Sequence, residues 1–366
     1  LAKILAKEGL SVLALEKKVH PRVKPCGGCI SQRIDRIFDL HTLGVVESKI
    51  RGATFTYRGR DAITEYCDHT VAYMIRREEF DLKLVRSAQR SGADIRQNAP
   101  VTGVLRNNGR FSIHSRAGTF SANLVVGADG VLSVVRRSLI PEERSWEYLT
   151  LVRRIPDDAA ARAMEDRVRI DLGWVSFGYG WVFPHTDTLS AGLAVLRSRK
   201  LGFKHHFTEF LGSMDLNRLV TSPSLSTHTH LIKCFVGRKQ SVALPGVLLV
   251  GDAAGLTDPL TGEGIYFAVH SAQCAGEAIL NHFRNEPEAL AGYQKRIDQE
   301  IFSEFRHAAW MTRMIYRFPR YFFSGIRRYP EFIQSFFRLL RGEITYGRAC
   351  SHLKNRFLRS VWPWLN

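Results

Sequence analysis

The stretch Val247-Leu248-Leu249-Val250-Gly251-Asp252-Ala253-Ala254-Gly255-Leu256-Thr257-Asp258-Pro259-Leu260-Thr261-Gly262-Glu263-Gly264-Ile265 decides how this chain is read. Four unbroken apolar residues predict a strand covered on both faces. Asp252 follows at the strand's end, where an open α/β sheet places its ligand crevice. A helix N-cap is the plainer role for the same carboxylate, and the two are compatible. Ala253, Ala254 and Gly255 let a ligand come close to the backbone. Gly262 and Gly264 free the chain just ahead of a helix starting near Ile265. The first N–H groups of such a helix attract a phosphate or an anionic ring.

A related pattern opens the chain. Leu1, Ile4 and Leu5 have helical spacing up to Lys7, and Gly9 is a helix stop. Ser11 to Glu16 then reads as a short apolar strand ending in an acid. Helix, strand and terminal Glu16 form the second half of a dinucleotide-binding βαβ unit, with the acid on ribose hydroxyls. The glycine turn of that unit lies about 20 residues before its acid. Counting back from Glu16 passes Leu1, so the first strand and its phosphate-binding glycines are absent; the reading favours a fragment of a longer product over a degenerate paralog. A third strand, Ala122 to Gly127, ends in Ala128-Asp129-Gly130, with a helix from about Ser133. Asp-Gly is also a common turn pair; its recurrence upstream of Asp252 favours the ligand role.

The chain has 366 residues, 45% hydrophobic and 24% charged. That suits an ordinary globular protein of two or more domains. No apolar run is long enough for a spanning helix, and Lys3, Lys7 and Glu8 break up the first segment, against a signal peptide. Lys and Arg number 52 against 35 Asp and Glu, a formal charge of +17. This favours anionic partners. Between 313 and 366 there are eleven basic residues and two acidic ones, over half of the excess. Six cysteines in a chain this long suggest a reducing cytoplasmic setting rather than a disulfide scaffold.

Glu16, the Gly127-Ala128-Asp129-Gly130 block and the Gly251-Asp252-Ala253-Ala254 block together resemble flavoproteins of the p-hydroxybenzoate hydroxylase-like superfamily. Lys24-Pro25-Cys26-Gly27-Gly28, Gly178-Tyr179-Gly180-Trp181-Val182-Phe183-Pro184 and Asp258-Pro259-Leu260-Thr261-Gly262-Glu263-Gly264 narrow this. They are similar to motifs of the geranylgeranyl reductases, and the resemblance spans roughly 1–293. It implies an α/β fold: a Rossmann-like FAD-binding domain of glutathione-reductase type, an inserted strand-rich α+β substrate domain, and C-terminal helices. The expected division is 1–50, 72–145 and 240–292 for the FAD-binding domain, 51–71 and 146–239 for the substrate domain, and 293–366 for a basic, aromatic helical region. The implied activity is FAD-dependent reduction of isolated double bonds in a prenyl chain, with NAD(P)H or ferredoxin as donor.

On that resemblance Glu16, Arg77, Val101, Asp129, Gly130, Asp252, Pro259, Gly262, Gly264 and Ile265 are expected to bind FAD. Arg76, beside Arg77, is the weaker candidate. Backbone N–H groups from Gly262 to Ile265 would stabilise the reduced ring's charge. Cys26, Gly27 and Gly28 are expected at the catalytic turn, with the Cys26 sulfur near the substrate. Cys29 departs from the family pattern and leaves a Cys26–Cys29 disulfide open. The other cysteines, at 67, 234, 274 and 350, are isolated, so no metal is expected. Tyr179, Trp181 and Phe183 alternate, so they share one face of a strand. Core packing is their plainer role; a wall along an apolar substrate slot is the implied one. Phe177 extends that face. His185 reads as a turn residue, and His205, His206, His228 and His230 as ordinary surface or sheet histidines.

In the tail, Ile297, Ile301, Phe305, Ala308, Met311 and Ile315 recur at helical spacing. Pro319 interrupts, and Pro330 starts a helix with Phe332, Ile333, Phe336, Phe337, Leu340 and Ile344 on one side. Arginines at 327, 328, 338, 341, 348, 356 and 359 and aromatics at 321, 322, 323, 362 and 364 surround them. This suits an anionic membrane surface or a helix packed on the domain with a solvated basic face. No nucleic-acid motif accompanies the charge. Two rivals stand beside the reductase: an oxygen-dependent monooxygenase or halogenase of the same superfamily, and a non-catalytic membrane-binding relative.

Overall fold

The computed structural model describes residues 1–140, 145–214, 225–238, 240–286 and 288–352. Arg356, Arg359, Trp362 and Trp364 lie outside the described residues.

The buried strand of the opening motif is β18 (Val247–Leu249), with all three residues buried. It pairs in parallel with β11 (Val125–Gly127), Gly127 standing opposite Leu249, and antiparallel with β17 (Ala243–Leu244). A separate parallel pair joins β1 (Leu13–Leu15) to β7 (Asp94–Arg96). Among the described residues no strand pairs with the remaining edge of β1 or of β11. The helix Ala2–Lys7 packs with the helix Ile265–Phe283, which explains Gly276: a Cβ there would stand 3.2 Å from Ile4. The apolar core of this region collects Leu5, Val125, Leu248, Leu249, Phe267 and Ile279.

A seven-stranded sheet runs β16 (Thr227–Cys234), β12 (Trp146–Pro156), β15 (Thr188–Leu196), β14 (Gly178–Pro184), β13 (Arg167–Leu172), β4 (Gly52–Tyr57), β5 (Arg60–Tyr66). All its pairs are antiparallel except β13 with β4. The next strand, β6 (Ala72–Ile75), lies instead between β2 (Cys29–Ser31) and β3 (Val46–Ile50). A meander of β8 (Val101–Asn107), β9 (Arg110–Ser115) and β10 (Gly118–Ala122) completes the strands.

The tail periodicity becomes helix Ala289–Ile297, a π-helical turn Asp298–Phe302 and helix Ser303–Arg317. Ile297, Ile301 and Phe305 are each four residues apart. On a straight α-helix that spacing drifts about 40° per step, and the wider turn keeps all three fully buried. Pro319 takes the first position of helix Pro319–Arg328, where its missing N–H costs nothing. In this helix and in Glu331–Leu340 the apolar faces turn inward: Phe323, Ile326, Phe332, Ile333 and Phe337 are buried in one core with Ile50, Ala72 and Met311. The stripe that would suit a membrane surface is thus largely used for packing. Phe318 and Tyr321 remain exposed beside Arg317, Arg320, Arg327 and Arg328. Among the described residues no helix is long and apolar enough to cross a membrane.

Candidate active site

Because β11 and β18 are neighbours in register, Asp129 and Asp252 leave the same sheet edge side by side. Both face one cavity of about 2000 Å³. Glu16, Arg77, Val101 and Gly130 line it too, as do Pro259, Gly262, Gly264 and Ile265. So do the turn Cys26-Gly27-Gly28 and the aromatics Tyr179, Trp181 and Phe183. Residues separated by up to 249 positions thus share one chamber, larger than the roughly 300–1000 Å³ of an ordinary small-molecule site.

Each carboxylate has local partners. Glu16 Oε1 accepts from the Lys18 N–H (2.8 Å), while its backbone is fixed on β7 through Arg96. Asp129 Oδ2 accepts from the N–H groups of Val134 (2.6 Å) and Val135 (3.3 Å), so it caps the helix Val134–Leu139. Asp252 Oδ1 accepts from Thr257 Oγ1 (3.0 Å), and its other oxygen lies 3.9 Å from Lys24 Nζ. That ion pair ties the end of β18 to the segment carrying Cys26. Burial pushes Lys24 below its usual value, and Arg77 adds to this.

The loop after β18 is held from three sides by tyrosine hydroxyls. Tyr179 donates to the Thr261 carbonyl (2.5 Å), Tyr316 to the Leu260 carbonyl (2.5 Å) and Tyr346 to Asp258 Oδ2 (2.7 Å). Asp258 Oδ1 accepts from the N–H groups of Leu260 and Thr261. Glu263 accepts from Ser31 N–H (2.8 Å), Ser31 Oγ (2.7 Å) and Arg33 Nη2 (2.5 Å). Arg33 lies over the rings of Tyr266 and Phe267, 4.4 and 4.7 Å from their centroids. Burial opposes its charge, but Glu263 and Asp258 outweigh burial and its pKa ends above the usual value. Asp258 itself is pushed up by burial, which Arg33 and Tyr346 only partly offset.

Across the chamber, the Gly28 N–H points to Cys26 Sγ (3.4 Å), and Arg77 neighbours the same sulfur. Arg77 also grips Asp81 with two bonds (3.0 and 2.9 Å). Arg76 turns away: it bonds Glu47 and Asp187 and does not line the chamber. Cys26 and Cys29 are both thiols, so the disulfide left open by the sequence is not formed. Burial, then Glu263 and Cys26, pushes the Cys29 thiol up, which disfavours its thiolate. Tyr179, Trp181 and Phe183 form a continuous run, with ring centroids 6.0 and 6.3 Å apart. Phe177 lies outside β14, in a left-handed conformation (φ 58°).

The chamber's glycines are closely packed by the residues around them. A Cβ on Gly264 would press on Asp252 and Thr257 at 3.2 and 3.4 Å, and one on Gly262 would lie 3.1 Å from the Tyr179 hydroxyl. A Cβ on Gly27 would lie 2.7 Å from the Phe183 ring. The indole N–H of Trp181 is buried with no partner beside that turn.

Residues that the sequence left unassigned complete the site. Arg33, Tyr316 and Tyr346 hold the loop, and His185, in the turn after β14 as the sequence reads it, is also buried against Glu47 and the Gly27 carbonyl. Among the described residues His270, Cys274 and Glu300 bring three donor atoms within 4.8 Å. Arg296 takes up Glu300 (2.8 Å), burial pushes the Cys274 thiol up to about 11, and none of the three lines the chamber.

Comparison with known proteins gives the family. The family model described as tryptophan halogenase matches residues 35–364. Geranylgeranyl diphosphate reductase, chloroplastic, of Oryza sativa is 29% identical over 342 residues, covering 86% of this chain and 72% of its own. Digeranylgeranylglycerophospholipid reductase of Methanocella arvoryzae is 25% identical, covering 82% and 80%. A geranylgeranyl bacteriochlorophyll reductase-like crystal structure from Thermoplasma acidophilum superposes with a TM-score of 0.71 at 23% identity, covering 86% and 84%. The chain belongs to the tryptophan halogenase family and is a FAD-dependent oxidoreductase similar to the geranylgeranyl reductases.

Proposed function

We propose that this protein reduces carbon–carbon double bonds in the prenyl chain of a lipid or isoprenoid. One observation carries the reading. The chamber that joins the Cys26–Gly28 turn to the loop 258–264 continues, past the aromatic run of β14, beneath the C-terminal helices. Its far lining is apolar: Phe322, Ile326, Phe332, Ile333, Phe336 and Leu340. An arm of that composition suits a long hydrocarbon and excludes water.

Bound FAD supplies two-electron reduction. The protein's share follows from its own atoms. Glu16, Asp252 and Arg77 would hold the coenzyme's hydroxyl and phosphate groups, with Val101, Asp129, Gly130 and Pro259 completing the site. The N–H groups from Gly262 to Ile265 would offset negative charge on the reduced coenzyme. Tyr179, Trp181 and Phe183 grip the chain, and Cys26 Sγ places the alkene or gives it a proton. The cofactor domain is 1–50, 72–145 and 240–292, the substrate domain 51–71 and 146–239, and the tail 293–366 the third region, whose helices Pro319–Arg328 and Glu331–Leu340 roof the apolar arm. The donor belongs to the NAD(P)H or ferredoxin class. The exposed patch of Phe318, Tyr321 and neighbouring arginines meets the anionic surface from which the substrate comes.

Dithionite-reduced protein, loaded with FAD and given a geranylgeranyl lipid under argon, is expected to yield product two mass units heavier per bond. The family description favours a second reading, oxygen-dependent halogenation or hydroxylation. Unchanged alkenes under argon, with product only after oxygen is admitted, would establish that reading instead.

A further inference from the structure

His185 follows β14 and is buried, and its N–H closes the turn to Thr188 (2.8 Å). One ring nitrogen, Nδ1, meets Glu47 Oε2; the other, Nε2, meets the Gly27 carbonyl at 3.2 Å. The ring also fills the space under Gly28, where a Cβ would stand 2.7 Å from His185 Cε1. Both nitrogens therefore face acceptors. A neutral imidazole has only one N–H to give. Glu47 supplies no proton: burial pushes its carboxyl up, but hydrogen bonds from His185 and Arg76 outweigh this and hold it at about 2. Only the doubly protonated ring satisfies both partners.

The Gly27 carbonyl and the Gly28 N–H are the two ends of one planar peptide unit. Fixing the oxygen on His185 thus aims the N–H, which points at Cys26 Sγ (3.4 Å). We propose that His185, clamped by Glu47, is a positioning residue that orients the 27–28 peptide and thereby supplies the hydrogen bond that stabilises charge on the Cys26 sulfur. Facing this cluster are Glu47 from β3, Arg76, and Asp187 from the β14–β15 turn. Lys24 and Arg77 face the sulfur, with Asp252 and Asp81 behind them.

This deepens the proposed function only in taking Cys26 as the sulfur that meets the substrate. The test is the rate of Cys26 alkylation by iodoacetamide against pH on the full chain, resolved by peptide mass spectrometry. His185→Phe is expected to slow Cys26 at neutral pH by about tenfold, as a lost hydrogen bond to a charged group implies, and to move its pH profile upward. Half-buried Cys29, whose thiol is pushed up by its surroundings, is expected to react more slowly than Cys26. If Cys29 reacts faster than in the parent, His185→Phe has loosened the fold and Glu47→Gln decides alone: it keeps the shape and should shift the profile the same way by a smaller amount. A Cys26 profile matching that of the parent in a folded variant overturns the proposal. Alkylation needs neither FAD nor lipid, so the reductase reading and this one fail separately.

Discussion

Arg33→Ala is expected to destabilise the protein by about 3–5 kcal/mol, the usual cost of leaving a buried charge unpaired. Arg33 is the cation within reach of both Glu263 (2.5 Å) and Asp258 (3.9 Å), and both acids are buried. Without it, Glu263 keeps Ser31, and Asp258 keeps Tyr346 and two backbone N–H groups. Those are hydrogen bonds, not countercharge. The deficit carries a pH signature. Burial already raises Asp258 above the ordinary carboxyl value, and removing Arg33 raises it further. A carboxyl with a raised folded-state pKa contributes stability below its unfolded value, near 3.9, and loses it as pH climbs through the folded one. Urea midpoints of parent and variant should therefore separate more at pH 8 than at pH 5. Equal separation would mean that removing Arg33 leaves the titration of Asp258 unchanged. The affinity for FAD should fall with the same substitution, because the acids that Arg33 neutralises form the ends of the loop that lines the chamber.

That network also marks where sequence reading stops. The strand Val247–Leu249, the alternation of Tyr179, Trp181 and Phe183, and the buried run from Ile297 to Ile315 were legible because periodicity is local: each repeat shows in a window of a few residues. Acids at strand ends were legible for the same reason, and β11 beside β18 brings Asp129 and Asp252 to one edge. What each side chain grips was not. Asp129 caps Val134 and Val135, a choice settled by the exact angle at which the chain leaves β11. His185 read only as a turn residue because its partner, Glu47, is 138 positions away. Tyr316 and Tyr346 sit in a tail whose pattern spoke only of amphipathic helices, yet their hydroxyls hold the loop 258–262. Long-range pairs between single polar atoms leave no periodic trace, and they are what turns a generic sheet edge into a shaped site.

Gly28→Ala is expected to be the most damaging single methyl group that can be added to the Cys26 turn. Gly28 has φ +78°, and a Cβ there would stand 2.4 Å from the Ile75 carbonyl oxygen, with His185 at 2.7 Å on the other side. Neither neighbour can yield cheaply. The Ile75 N–H is bonded to the Gly28 carbonyl (2.8 Å), and His185 is held by Glu47. Gly130 provides the internal control: its φ is +80°, yet nothing lies within 4 Å of its Cβ position. Gly130→Ala therefore measures the left-handed conformation alone, about 1–2 kcal/mol. Gly28→Ala adds overpacking against backbone, about 1–3 kcal/mol more. Chemical denaturation of the two variants beside the parent isolates that difference. Because the strain falls on the peptide that donates to Cys26, only Gly28→Ala should also slow Cys26 alkylation. Equal losses of stability for the two alanines would mean that β6 and the Cys26 turn are not in contact through Ile75, and the front of the chamber would then need a different wall.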